Sequence, residues 1–350
     1  MKKKYIKISA FIVILSIAYF SIISPIYRNY KGATQVKNFT EDKEYVFVNT
    51  FYGLFKIKKK TNEISEVKKI NSYIGNRYVG KIVVDKNDEK WVITYVNDTL
   101  YSFKNEQKVI KHNSPFKIDK NQLMHEFEDI KIDNLGTKWI LVRLGRSKYE
   151  LYSYNFGNWE KYPFTEKGDI RDMFIDEYDN IIFPISSMNE NANNITFSYK
   201  LLFLENYGMM NRRDWSQLDF PSGDFTLDKL FVDKENKIWI TGSCNENYSL
   251  YRFQSPEFLK YNINKEIKAL YSDTNGKVWI ATEDGIEILN EKKSFIPKKK
   301  ITEIFIDSNN KKWINKYFSN SIECYDGKEW ISFDFEIFKY VVKQFFNNLF

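Results

Sequence analysis

Seven times in this 350-residue chain an acidic residue is followed, six positions on, by a large apolar one: Glu41 and Phe47, Asp85 and Trp91, Asp133 and Trp139, Asp176 and Ile182, Asp233 and Trp239, Asp273 and Trp279, Asp307 and Trp313. Stretches such as DKNDE from Asp85 carry the oxygen ligands that calcium takes. The twelve-residue spacing and closing bidentate Glu of a calcium loop are absent, however. An acid placed at a chain reversal has a nearer use, since Asp and Asn side chains accept hydrogen bonds from backbone N–H groups two residues on. The pattern therefore reads as seven structural turns, with no metal site and no cofactor.

Other chemistry-bearing residues are sparse. His112 and His125 are the only histidines, and no nucleophile motif or metal-ligand cluster accompanies them. No catalytic residue is assigned; His125, ahead of the innermost strand of the third unit, is the candidate acid/base if the protein is an enzyme. Cys244 and Cys324 occupy different places in the repeat and read as two unpaired small hydrophobes.

The elements that position these residues follow from the repeat. The acids lie 34 to 57 residues apart, a period that suits one small antiparallel sheet per unit. In the sixth unit IKALYS (267–272) reads as strand A, DTNG as a turn, KVWIAT as strand B, EDG as a second turn, IEILN as strand C and KSFIP as strand D. Val278, Trp279 and Ile280 are consecutive and apolar, the pattern of a strand covered on both faces. Gly136 and Gly276 supply positive φ in the first turn, and Gly53 and Gly285 in the second. The expected fold is an all-β, seven-bladed β-propeller over residues 31–335. Its first unit has only Val36 and Phe39 as apolar strand A residues, and its seventh owns a fourth strand, EWISFDF (329–335), which leaves ring closure open.

Charge and hydropathy assign the flanks. Of the formal charge of +7, six units come from Lys2, Lys3, Lys4, Lys7, Arg28 and Lys31, so the rest of the chain is nearly neutral and unsuited to nucleic acid. The lysines of KSFIPKKK (293–300) guard a strand edge. Residues 8–27 are uncharged, and residues 1–30 are expected to form a transmembrane or signal helix, a retained anchor being favoured. The lysines ahead of it place the rest of the chain outside, giving a single-pass cell-membrane protein with an extracytoplasmic propeller, or a secreted one if the segment is cleaved. Residues 336–350 read as an amphipathic tail packing on the propeller.

The sixth unit, DTNGKVWIATEDGIEIL, fits D-x-x-G-x-x-W-I-x-T-x-x-G-I/L throughout; the second, third, fifth and seventh keep Asp and Trp but lose the second-turn glycine. This pattern resembles the two-component regulator propeller repeat of bacterial sensor proteins. The resemblance covers about residues 34–335 and implies a propeller that binds a glycan or other extracellular signal. No kinase or response-regulator sequence follows Phe335, so signalling would need a partner in the membrane.

In four-stranded blades the acidic A–B turns share one face and the variable B–C loops the other. Those loops hold Tyr95–Asp98, Arg143–Lys148, SSMNENANNIT (186–196), GSCNENY (242–248), Glu283 with Asp284, and YFSN (317–320). The ligand-binding candidates are Tyr95, Arg143, Arg146, Glu283, Asp284 and Tyr317, the arginines suited to an anionic group and the tyrosines to sugar or peptide. The expected function is a non-catalytic, extracytoplasmic ligand-binding or sensory module. The alternatives are a propeller lyase or hydrolase working in the central channel and a structural docking protein.

Overall fold

A computed structural model describes residues 36–335, apart from short stretches that fall chiefly in connections, among them 95–98, 116–124, 146–147, 207–212, 220–225 and 317–320. Blade one is β1 (Val36–Glu41), β2 (Tyr45–Thr50), β3 (Gly53–Lys58) and β4 (Ile64–Glu66), and helix α1 (Lys68–Ile74) follows it. Blade two is β5 (Val79–Val84), β6 (Lys90–Thr94), β7 (Leu100–Phe103) and β8 (Ile110–His112). Blade three is β9 (His125–Ile132), β10 (Lys138–Leu144), β11 (Tyr149–Asn155) and β12 (Asn158–Tyr162). Blade four has its innermost strand in two pieces, β13 (Asp169–Ile170) and β14 (Phe174–Ile175), beside β15 (Ile181–Asn191), β16 (Asn194–Asn206) and β17 (Arg213–Asp219). Blade five is β18 (Thr226–Val232), β19 (Ile238–Cys244), β20 (Asn247–Gln254) and β21 (Glu257–Asn262). Blade six is β22 (Ile267–Ser272), β23 (Val278–Thr282), β24 (Gly285–Ile288) and β25 (Ser294–Pro297). Blade seven is β26 (Ile301–Ile306), β27 (Lys312–Lys316), β28 (Ser321–Tyr325) and β29 (Trp330–Asp334). All pairings are antiparallel, and the fold is a seven-bladed β-propeller.

Both oxygens of the repeated Asp have structural partners. In blade six Asp273 Oδ1 accepts from the backbone N–H of Asn275 (2.8 Å) and Lys277 (3.0 Å), while Oδ2 accepts from Trp279 Nε1 at 3.0 Å. Indole bonds of the same kind join Asp85 to Trp91, Asp133 to Trp139, Asp233 to Trp239 and Asp307 to Trp313, at 2.7–3.1 Å. Blade four has Ile182 at the Trp position, and there Asn180 Nδ2 supplies the missing donor to Asp176 Oδ2 at 2.8 Å. The fourth turn residue takes positive φ: Asp88, Gly136, Asp179, Gly276 and Asn310 lie between 59° and 84°. Only Gly, Asn and Asp accept that conformation readily, which explains the choice of residue.

Blade one corrects the sequence register. Asp42, not Glu41, shapes its turn, accepting from the N–H of Glu44 and Tyr45 at 2.8 and 2.7 Å. That turn is shorter than the others, so a fixed six-residue count points one residue too early. Glu41 instead reaches the last blade, where it accepts from Ser308 N (3.1 Å) and Oγ (3.0 Å) and pairs with Lys59 at 2.5 Å.

Packing between blades uses the Trp as a wedge. All five residues of β23 are buried, with Trp279 packed against Ile304, Ile306 and Ile314 of blade seven, and Val278 and Ile280 against Trp239 of blade five. Trp313 makes the equivalent contact across the seam, among Val46 and Val48 of blade one. The ring closes there through side chains, with Phe39 stacked on Phe305 at 5.8 Å and Phe55 against Phe335 at 5.0 Å. Each blade is therefore built from its own strands.

The described residues of the stretch SSMNENANNIT are strand and not loop. They extend the β15–β16 hairpin, whose pairing runs out to Asn191 opposite Asn194. Gly53 and Gly285 open β3 and β24 with φ of 129° and 135°, as their place in the second turn requires. The expected N-terminal helix and C-terminal tail lie outside the described residues, among which no helix is long and apolar enough to cross a membrane.

Candidate functional site

The innermost strands share a feature that period-2 reasoning passes over. Their sequences run V-K-N-F (36–39), V-G-K-I (79–82), F-E-D-I (127–130), I-R-D-M (170–173), L-D-K-L (227–230), I-K-A-L (267–270) and I-T-E-I (301–304). Two apolar residues three apart in a strand mean one residue too many for simple alternation. In blades one, two, three, five, six and seven that extra residue is a β-bulge against strand B, as where Glu303 pairs with Asn315 and Ile301 with Lys316, passing over Thr302. In blade four the strand breaks at the same place.

The second residue of each insertion forms a ring around the hub, in order Asn38, Lys81, Asp129, Asp172, Lys229, Ala269 and Glu303. All but Asp129 line a cavity of about 350 Å3, together with Lys37, Lys131 and the aromatic walls Phe39, Tyr271 and Phe305. Asp129, wholly buried, lies just behind: its Oδ1 meets Lys81 Nζ at 3.0 Å and its Oδ2 accepts from Met173 N at 3.0 Å. That backbone bond crosses to blade four where its inner strand is interrupted. Lys81 also donates to Asp172 at 3.1 Å.

Burial acts differently on these groups. It opposes ionisation of Asp129, but Lys131, Lys81 and the Met173 N–H outweigh it and hold the carboxyl below the usual carboxylate range. Burial likewise opposes the charge on Lys81, but Asp129 and Asp172 outweigh it and keep the ammonium charged. Glu303 lacks such help: burial, only partly offset by Lys229 and Lys81, pushes its carboxyl up to about 7. Burial pushes the Lys37 ammonium down to about 8.

The residues expected to bind ligand from sequence are placed as follows. Arg143, near the end of β10, is gripped by Glu126 and by Glu128, the latter at 3.2 Å, both from β9 beside it. Glu283 and Asp284 form the exposed two-residue tip between β23 and β24, where Lys265 pairs with Asp284 at 3.3 Å. Blades four and five separate Arg143 from that tip, so these residues do not converge. Tyr95, Arg146 and Tyr317 lie outside the described residues. His125 begins β9 opposite Leu144. His112 is tied into blade packing, with Nδ1 2.8 Å from Tyr154 Oη, Nε2 2.9 Å from Ser102 Oγ, and its ring stacked on Trp91. Cys324 is a free, buried thiol, pushed up to about 12 by its burial.

No protein-family model matches the chain, and no curated protein matches it. Solved propellers do. A catalytically inactive virginiamycin B lyase from Staphylococcus aureus with quinupristin is 13% identical over 74% of this chain and 85% of its own, with a TM-score of 0.53. YCF48 from Cyanidioschyzon merolae is 10% identical over 81% and 92%, with a TM-score of 0.56. The neighbours include the extracellular domain of a putative hybrid two component system from B. thetaiotaomicron, 14% identical, of which this chain covers 51%, with a TM-score of 0.31. At these identities the likeness is one of fold, and the last superposition is too loose to support anything more.

Proposed function

We propose that this protein is an extracytoplasmic, non-catalytic ligand-binding propeller, a sensory module held at the cell membrane by its N-terminal segment. Its ligand is a glycan or peptide, and its partner a membrane signalling protein. One observation carries the reading. What repeats is internally satisfied, as each described Asp–Trp pair uses both carboxylate oxygens within its own blade. What varies from blade to blade is gathered in the hub ring, around a cavity whose polar wall contains a carboxyl with no bonded partner among the described residues. The resemblance of the repeats to sensor propellers supports the same reading.

The test is a thermal-shift screen of the full chain against soluble glycans and peptides. A ligand that raises the melting temperature in a concentration-dependent way and is recovered unchanged supports binding without turnover. Chemical conversion of every stabilising compound would sink the non-catalytic reading. The channel-enzyme alternative has one specific observation behind it: Glu303 at about 7 and Lys37 at about 8 titrate near neutrality in one cavity, as acid/base pairs do.

A further inference from the structure

Glu303 sits in the hub ring between two neighbours that cannot neutralise it. Ala269 offers a methyl group. Asn38 is already engaged, its Nδ2 donating to the Ile82 carbonyl at 2.9 Å and its Oδ1 accepting from Asn49 Nδ2 at 3.3 Å. The cations around the cavity already hold partners, Lys229 the Lys268 carbonyl, Lys37 the Val79 carbonyl at 3.0 Å and Lys81 the carboxylates of Asp129 and Asp172, and Lys37 keeps ammonium hydrogens beyond that one bond. Glu303 has no hydrogen bond or ion pair among the described residues. This side of the cavity therefore presents a carboxyl in need of donors, and an ammonium group brings three.

The aromatic wall beside Glu303 suits the same group. Phe39 and Phe305 stack with their rings 8° from parallel, and Tyr271 meets Phe305 edge-on at 5.5 Å. A carboxylate in a cavity also lined by aromatic side chains is a setting that recognises organic cations. A simple cation is nevertheless a poor fit, because four lysines (37, 81, 131 and 229) face the cavity against Asp129, Asp172 and Glu303. With charge so nearly balanced, neither a lone cation nor a lone anion gains much from the whole field. A molecule with both charges gains at each end.

We propose that the hub cavity binds a small zwitterion of the free amino acid class, its ammonium against Glu303 and its carboxylate against Lys37. The two groups come from β26 and β1, adjacent across the seam. This rests on the ligand-binding reading above and replaces its glycan or peptide with a smaller ligand. Ammonium binding needs the Glu303 carboxylate, so affinity rises as pH climbs through about 7; carboxylate binding needs the charged Lys37, so affinity falls again above about 8. At pH 6 only about a tenth of Glu303 is ionised, against about three-quarters at the optimum, which weakens apparent affinity roughly sixfold.

The experiment is a thermal-shift and calorimetric screen of the full chain against each of the twenty free amino acids at pH 7.5. At least one is expected to bind, while its methyl ester and its deaminated acid do not. Glu303→Gln and Lys37→Met should each lose about tenfold or more in affinity, and the wild-type pH profile should peak between about 7 and 8. That profile carries the test if either variant fails to fold. The proposal is overturned if no amino acid binds, if the ester or deaminated acid binds as well as its parent, if Glu303→Gln keeps full affinity, or if affinity is flat from pH 6 to 8. Stabilisation by a glycan with none by amino acids would defeat this inference and leave the ligand-binding reading standing; turnover of every ligand would defeat the reading itself.

Discussion

Asp273 shows how much one carboxylate can organise. It terminates a strand, closes a turn and orients the indole that separates two sheets. Burial works against its charge, but the bonds from Trp279 and from the backbone of Asn275 and Lys277, with Lys312 nearby, prevail and hold it below the usual range. A carboxyl depressed on folding stabilises the native state at any pH above its unfolded value near 4, and that contribution is lost as pH falls through the folded one. Asp273→Ala removes those acceptors and leaves the buried indole N–H without a partner, at a cost of about 2–4 kcal/mol. Denaturant melts at pH 7 would read this directly, and the difference between mutant and wild type should shrink below pH 4. The turn role of this residue could be seen in sequence because Asx chemistry is local. The indole bond could not, since a six-residue separation says nothing of direction until the strand is built.

At the level of the element, legibility followed periodicity. Strands A to D of blade six are found almost where the apolar runs and glycine put them, because turn residues punctuate the chain between β22 and β25. Blade one was misregistered by one residue, because its first turn is shorter. The hub ring was missed because it depends on breaking strand alternation. V-K-N-F and I-T-E-I spell out the bulge once apolar residues three apart are looked for in each inner strand. The B–C loops drew attention instead, as exposed and variable segments do. A different local exception lies in blade three, where Phe156 occupies the tip between β11 and β12 with φ of 47° and a 94% exposed ring. Asn or Gly is the usual occupant of such a position. Phe156→Asn should therefore raise stability by about 0.5–1 kcal/mol, measurable as a higher denaturation midpoint with an unchanged m-value.

The whole molecule is held by hydrophobic interfaces between neighbouring blades, and the seam between blades seven and one joins residues far apart in sequence. Trp313 is the wedge there and is fully buried. Trp313→Ala should cost about 3–5 kcal/mol, as other large-to-small core changes do. The distinguishing outcome is spatial: hydrogen exchange should accelerate in β1 and β29 more than in β15, since opening the ring begins where no chain connection crosses. Uniform acceleration in every blade would show that the seam is no weaker than the other interfaces.

The same architecture carries a topological consequence. Val36 at the start of β1 and Phe335 just past β29 share one hydrophobic cluster, and each sheet is complete within its own stretch of chain. The order of blades around the axis is then fixed, while the point at which the polypeptide enters the circle is arbitrary. A circular permutant that links residue 335 to residue 36 and opens in the connection after Asn262 should reach the same ring with native spectroscopic and melting behaviour. In such a molecule the former seam becomes one covalent joint among six, and the weakest interface moves to wherever the new ends are placed.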